Sequence, residues 1–115
     1  MPVYVSSLAG TTNHWDTTGS SEIYLASATG FRIYIRESGT SPSVANARSY
    51  HVHWMAADPA TSTAAAGLCS GRTPQGATHW QQASSGTIYV DVDTSMCGFT
   101  EVPIYTSSLG GTSSH

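Results

Sequence analysis

The 115-residue sequence contains no lysine and has little charge of either sign. Its basic residues are four scattered arginines, only 10% of its residues are charged, and the formal net charge is −3. Nucleic-acid binding relies on clustered Lys and Arg, so this composition argues against a nucleic-acid partner. No apolar stretch approaches the ~20 residues that a membrane span requires, which argues against membrane insertion. The length suits one domain, and we expect a single domain over residues 1–115.

Helix signals are nearly absent, and cysteine is scarce. The segment 56–68 is rich in alanine but is interrupted by Asp58 and Pro59, so we predict a long connection there. The two cysteines, Cys69 and Cys97, are compatible with a disulfide bond and equally with two buried free thiols. One such pair does not decide the compartment, and no signal-peptide pattern precedes the first strand-like segment.

Apolar and polar residues alternate in several short segments, a pattern typical of half-buried strands. The strands predicted in this way are 3–6, 22–25, 31–36, 50–55, 87–92 and 102–106. In three of them, the residues expected to face the core are Phe31, Ile33 and Ile35; Tyr50, Val52 and Trp54; and Ile88, Val90 and Val92. Six short strands joined by turns rich in Gly, Ser and Thr predict an all-β fold, a six-stranded antiparallel β-sandwich.

The strongest pattern is an internal repeat. The motif of residues 1–14 is repeated in residues 102–115, and every matched pair is offset by the same 101 positions. A His-Trp pair separated by seven residues from an Ile-Tyr pair occurs at His14 and again at His79. We therefore expect the chain to cover a little more than one period of a 101-residue unit, taken from a tandem array or carrying a duplicated closing strand.

Several short motifs fall into a recognisable order when the chain is split after residue 57 and its second half is read first. In that order the motifs are G-L-C at 67–69, Trp80, M-C-G-F at 96–99, P-I-Y-T-S-S-L at 103–109, T-G-F at 29–31 and V-H-W-M-A at 52–56. This order resembles the H-type lectins, which include snail agglutinins and the discoidin C-terminal domain. The resemblance implies a six-stranded antiparallel sandwich that forms trimers and binds galactose or N-acetylgalactosamine near protomer interfaces. It also places Tyr50 near the family's sugar-contacting tyrosine.

Two clusters combine the side chains that sugar sites use, an aromatic ring for pyranose C–H groups and planar hydrogen-bonding groups for hydroxyls. Each is a His-Trp pair followed by a carboxylate or an amide, in a polar segment typical of a loop. The alternative is that each Trp packs at an edge of the sandwich and each His caps a turn. A third candidate is an arginine close to a tyrosine, for which the alternative is a surface loop residue. The predicted carbohydrate-binding residues are His14, Trp15 and Asp16; His79, Trp80 and Gln81; and Arg48 and Tyr50.

Other reactive side chains favour neither an enzyme nor a metal site. His51 and His53 project from one strand face, but two imidazoles do not complete a metal site, and a solvated or interface-facing pair is expected. Asp91 and Asp93 could bind calcium or accept hydrogen bonds from sugar hydroxyls, but a solvated strand face is likewise expected. The sequence has no G-x-S-x-G nucleophile motif and no phosphate-binding glycine loop, so we expect no catalysis and no cofactor.

Together these patterns predict a non-enzymatic lectin that recognises glycans of the galactose or N-acetylgalactosamine type. Multivalency through a homo-oligomer, with a trimer favoured, would strengthen binding at the cell surface or outside the cell. The alternative is a structural repeat of an adhesin, matrix or fibre protein that binds no sugar. A third and weaker interpretation is a metal-dependent module that uses His51 and His53.

Overall fold

The computed structural model describes residues 23–58 and 67–112, and in them the chain is mostly β-strand. The elements, in chain order, are β1 (Tyr24–Ser27), β2 (Gly30–Arg36), α1 (Pro42–Ala47), β3 (His51–Ala57), β4 (Leu68–Arg72), β5 (Gln81–Ser84), β6 (Thr87–Asp93) and β7 (Ile104–Gly110). A 3-10 turn at Ser95–Cys97 lies between β6 and β7. The predicted all-β class is confirmed. No helix in this described part of the chain has the length and apolar character to cross a membrane.

The strands form two antiparallel sheets, and their number differs from the prediction. The larger sheet has the order β1-β2-β6-β5 and the smaller has the order β4-β3-β7. Five of the six predicted strands correspond to β1, β2, β3, β6 and β7, with shifted ends, while the sixth, 3–6, lies outside the described residues. The described residues contain seven strands: these five, and also β4 and β5, which were not predicted.

The core lies between the two sheets and is built by the strand alternation. All nine residues predicted to face inward are buried. Eight of them lie in β2, β3 and β6, and the ninth, Tyr50, directly precedes β3. Phe31 of the larger sheet contacts two aromatic rings of the smaller sheet, Trp54 at 6.4 Å and Tyr105 at 4.6 Å between ring centroids. Because apolar side chains alternate with polar ones, burying them leaves polar and half-buried aromatic residues on the outer face of the larger sheet. The outer face of the smaller sheet also carries the exposed side chains of Met55 and Ile104.

Helix α1 and strand β4 were not predicted from the sequence. Helix α1 begins after Ser41, whose hydroxyl accepts a hydrogen bond from the Val44 N–H at 3.2 Å, and Pro42 opens its first turn. Strand β4 contains Gly71, where an added Cβ would lie 2.7 Å from the indole of Trp54. Part of the predicted long connection is therefore strand, because β3 continues to Ala57 and β4 begins at the end of that segment.

A disulfide bond between Cys69 and Cys97 decides between the two alternatives for the cysteines. Cys69 lies in β4, and Cys97 lies in the 3-10 turn that follows β6. The bond thus connects an edge strand of the smaller sheet to the end of a central strand of the larger sheet.

Candidate functional site

The outer face of the larger sheet carries a cluster of tyrosines and an ion pair. Because Phe31, Val90 and their neighbours point into the core, the alternate residues of β2 and β6 point outward. The register places Tyr34 opposite Tyr89 and Arg32 opposite both Asp91 and Tyr24. We call this surface the tyrosine face; it comprises Tyr24, Arg32, Tyr34, Tyr89 and Asp91.

The three tyrosine rings form a continuous aromatic strip across β1, β2 and β6. The centroids of Tyr24 and Tyr34 are 5.0 Å apart with nearly perpendicular rings, and those of Tyr34 and Tyr89 are 5.7 Å apart at 49°. Both spacings lie in the range preferred by aromatic pairs. All three residues are half-buried, so the strip is supported from below and partly open to solvent.

Arg32 fixes the polar side of the tyrosine face. Its Nε donates to one Asp91 carboxylate oxygen at 2.6 Å and its Nη2 to the other at 2.9 Å, a bidentate pair. Its guanidinium carbon lies 4.1 Å from the centroid of the Tyr89 ring, and its Nη1 donates to the Tyr34 hydroxyl at 3.3 Å. The hydrogen bond to Asp91, followed by that to Tyr34, raises the pKa of Arg32, so the guanidinium stays charged. The Asp91 side chain remains 62% exposed and has lone pairs available to a ligand.

Of the residues predicted to bind sugar, Gln81 borders this surface. It pairs with Tyr89 across β5 and β6, and its side chain is exposed. Cross-strand partners share a sheet face, so its amide lies beside the aromatic strip. His79, two residues earlier, is also exposed.

Trp80 and Tyr50 are instead core residues. Trp80 is 3% exposed, and its indole N–H donates to the Tyr50 carbonyl at 3.2 Å. Tyr50 is 1% exposed. Neither ring has a free face on which a sugar could stack. The burial of Trp80 therefore favours the alternative that this residue packs in the sandwich.

Arg48 lies directly after α1 and links three segments. Its Nη1 donates to the Glu37 carboxylate at 2.8 Å and to the Tyr50 hydroxyl at 3.2 Å. These two hydrogen bonds, with that to Tyr50 the larger cause, raise the pKa of Arg48. The structure thus brings Arg48 and Tyr50 together, but through hydrogen bonds that tie the end of β2 to the start of β3.

The histidine pair, expected to be solvated or interface-facing, has one buried imidazole and one exposed imidazole. His51 is 3% exposed, and its Nδ1–H donates to the Ser49 carbonyl at 2.7 Å, while His53 is exposed. Their Nε2 atoms are 2.9 Å apart. His51 is buried because Gly110 of β7 lies over it, where an added Cβ would be 2.5 Å from its Nε2. Within residues 23–58 and 67–112, no three His, Cys, Asp or Glu side chains gather as a metal site would require.

The remaining predicted cluster, His14, Trp15 and Asp16, lies outside the described residues. Tyr24, Arg32 and Tyr34 were not among the predicted sugar-binding residues. The signal that could have found two of them is the same alternation that located the core, because the polar phase of β2 contains Arg32 and Tyr34. Comparison with family models, curated proteins and solved structures gives no match to the chain.

Proposed function

We propose that the protein is a non-enzymatic carbohydrate-binding protein for galactose-type sugars, and that the tyrosine face is its binding surface. The observation that supports this most is the aromatic strip next to the bidentate Arg32–Asp91 pair. An aromatic ring provides a surface for the C–H groups of a pyranose, and a fixed carboxylate and guanidinium provide an acceptor and donors for neighbouring hydroxyls.

The arrangement suits a sugar whose C–H groups gather on one side. In galactose the axial hydroxyl at C4 leaves the hydrogens of C3, C4 and C5 on a single face, which can lie on the solvent-facing part of a half-buried tyrosine ring. Asp91 would then accept hydrogen bonds from vicinal hydroxyls, and Gln81 would extend the polar rim beyond Tyr89. The surface is an open sheet face rather than a deep cleft, so single-site affinity is expected to be weak and a homo-oligomer, such as a trimer, would supply avidity.

A structural repeat without sugar binding is the alternative function. It is favoured by the place of the second copy of the repeated motif, because β7 (Ile104–Gly110) falls within that copy and pairs along the whole of β3. A repeated segment that completes a sheet is what a stacked array requires, with or without a ligand.

A glycan array followed by NMR titration with galactose and N-acetylgalactosamine tests the proposal. Wild-type protein is expected to bind, and Asp91→Asn, which keeps the side-chain shape, is expected to weaken binding by roughly tenfold or more because a charged hydrogen-bond acceptor is lost. Glu101→Gln makes the same change of carboxylate to amide at an exposed residue outside the tyrosine face, so it is the matched control and should bind as wild type does.

Two outcomes would contradict parts of this proposal. An array with no signal from a folded sample would reject the lectin function and favour the structural repeat. Binding that survives both Asp91→Asn and Tyr89→Ala would retain the lectin but reject the tyrosine face as its site. Trp15→Ala would then be the next variant, because it tests the predicted cluster at residues 14–16.

A further inference from the structure

Strand β7 is held beside β3 by side chains from one of its faces. We call the position that β7 occupies the β3 edge. Tyr105 and Ser107 are buried there. The Tyr105 hydroxyl donates to the Ser27 carbonyl at 2.7 Å and lies 2.8 Å from the Thr94 hydroxyl, so it connects β7 to the larger sheet at the ends of β1 and β6. The residues on the other face of the strand include Ile104, which is 61% exposed.

The chain continues to make specific contacts after β7 ends. The Thr112 N–H donates to the Arg48 carbonyl at 3.0 Å, and the Thr112 hydroxyl donates to the same carbonyl at 3.1 Å. At Gly111 an added Cβ would lie 2.8 Å from the Tyr50 ring. A segment that occupies the β3 edge therefore needs glycine at position 111, and a hydroxyl side chain at position 112 adds a second hydrogen bond to the Arg48 carbonyl.

Residues 2–11 satisfy the same requirements as residues 103–112. Seven of the ten aligned positions are identical, and these include every position that is buried or makes the contacts just described. Two of the three differences, at 104 and 106, are on the outward face, where the first copy has valine. The residues of the second copy that are buried, pack against the core or make these contacts are Pro103, Tyr105, Ser107, Leu109, Gly111 and Thr112, and the first copy has the same residue types at Pro2, Tyr4, Ser6, Leu8, Gly10 and Thr11.

The third difference explains why the two segments are not equivalent. Residue 9 is alanine where β7 has Gly110. A Cβ at this position would lie 2.5 Å from the His51 Nε2 and 3.2 Å from the His53 Nε2, so the histidine pair would have to shift. This steric cost favours β7 over residues 2–11 without excluding them.

The first copy can reach the β3 edge of its own molecule. Eleven residues, 12–22, separate it from the described chain, and they span up to ~37 Å when extended. The distance needed is modest. Tyr24 pairs with Arg32, which is only ~13 Å along β2 from Arg36. The next residue, Glu37, contacts Arg48, whose carbonyl receives the end of the β7 segment. An intramolecular segment also has a high effective concentration.

We infer that the β3 edge is a strand-acceptor site for residues 2–11 of the same chain, which replace β7 and release residues 103–112. The incoming segment would repeat the antiparallel pairing that β7 makes with β3. The site recognises the shared pattern of buried tyrosine, serine and leucine at alternate positions, followed by glycine and threonine. Strand exchange of this kind costs little because one set of contacts replaces an almost identical set.

Cross-linking in the intact 115-residue chain tests the inference. Met55 pairs with Thr106, and residue 5 is the counterpart of Thr106. The variant Met55→Cys with Val5→Cys is therefore expected to form a disulfide bond between positions 5 and 55 within the monomer, found by peptide mapping after mild oxidation. Met55→Cys with Thr106→Cys should report β7 in place. Met55→Cys with Ser6→Cys puts the second thiol on the opposite face and should not form a bond to position 55.

The Ala9→Gly variant removes the steric cost and gives a second measurement. It should raise the yield of the bond between positions 5 and 55 roughly fivefold or more. Without any added cysteine, it should also speed amide hydrogen exchange across 104–110 while leaving β6 unchanged. Exchange at 104–110 that Ala9→Gly does not alter, with no bond between positions 5 and 55 in either background, would overturn the inference. A bond found only in dimers would also overturn it, because a second copy would then be the occupant.

Discussion

Removing the Cys69–Cys97 disulfide bond is expected to lower the free energy of unfolding by about 3.5 kcal/mol. The bond joins residues 28 positions apart and connects the edge strand β4 to the turn after β6. In the loop-entropy account, a closed loop of this length lowers the entropy of the unfolded chain by about 12 cal/mol/K, which gives this value at 25 °C. Both side chains are only half-buried, so lost packing adds little to it.

The Cys69→Ala, Cys97→Ala double variant, unfolded by urea and by heat, measures this effect. The melting temperature should fall by roughly 10–20 °C for a domain of this size. Wild-type protein held reduced should unfold like the variant, which controls for the substitutions themselves. A loss below about 1 kcal/mol would refute the reasoning, since it would mean that the bond does not restrict the unfolded chain appreciably.

Two further predictions concern the core and the histidine pair. Trp80→Phe removes the donor to the Tyr50 carbonyl and should cost about 1–3 kcal/mol in urea unfolding while leaving galactose affinity unchanged; reduced affinity in the folded variant would contradict its core role. Burial, and then the charges of His51 and Arg72, lower the pKa of His53, so the unfolded chain binds its proton more tightly. The free energy of unfolding should be full above about pH 6.5 and fall at lower pH, and it should fall less steeply in the His53→Gln variant. Melting temperatures measured from about pH 8 down to pH 5 test this, and a melting temperature that rises as the pH falls would contradict it.

Much of the fold could be predicted from local patterns. The alternation in β2, β3 and β6 identified Phe31, Val52, Ile88 and their neighbours as core residues, because a strand sends successive side chains to opposite faces. Strands β4 and β5 could not be found in this way. Gly71 in β4 is matched to the Trp54 ring rather than to a sequence pattern, and β5 is exposed along its whole length.

The candidate site was harder to predict because burial of aromatic residues depends on distant partners. Trp80 has the same sequence surroundings that suggest a sugar-binding loop, yet its indole N–H lies against a carbonyl thirty residues away. A tryptophan suits either place, since its ring is apolar and its N–H needs one acceptor. Its neighbour Gln81 was predicted together with it and lies exposed on the other side of the chain.

Local sequence patterns are sufficient to predict the all-β class, the inward-facing residues of the main strands and the repeated segment. These properties depend on residues that are neighbours along the chain, so a period of two or a repeated motif is enough to define them. The contact between Arg32 and Asp91, 59 residues apart, and the bond between Cys69 and Cys97 depend instead on the tertiary fold. Those encounters follow from which strands pair and in which register, and the register is set by the packing of the whole core rather than by any one segment.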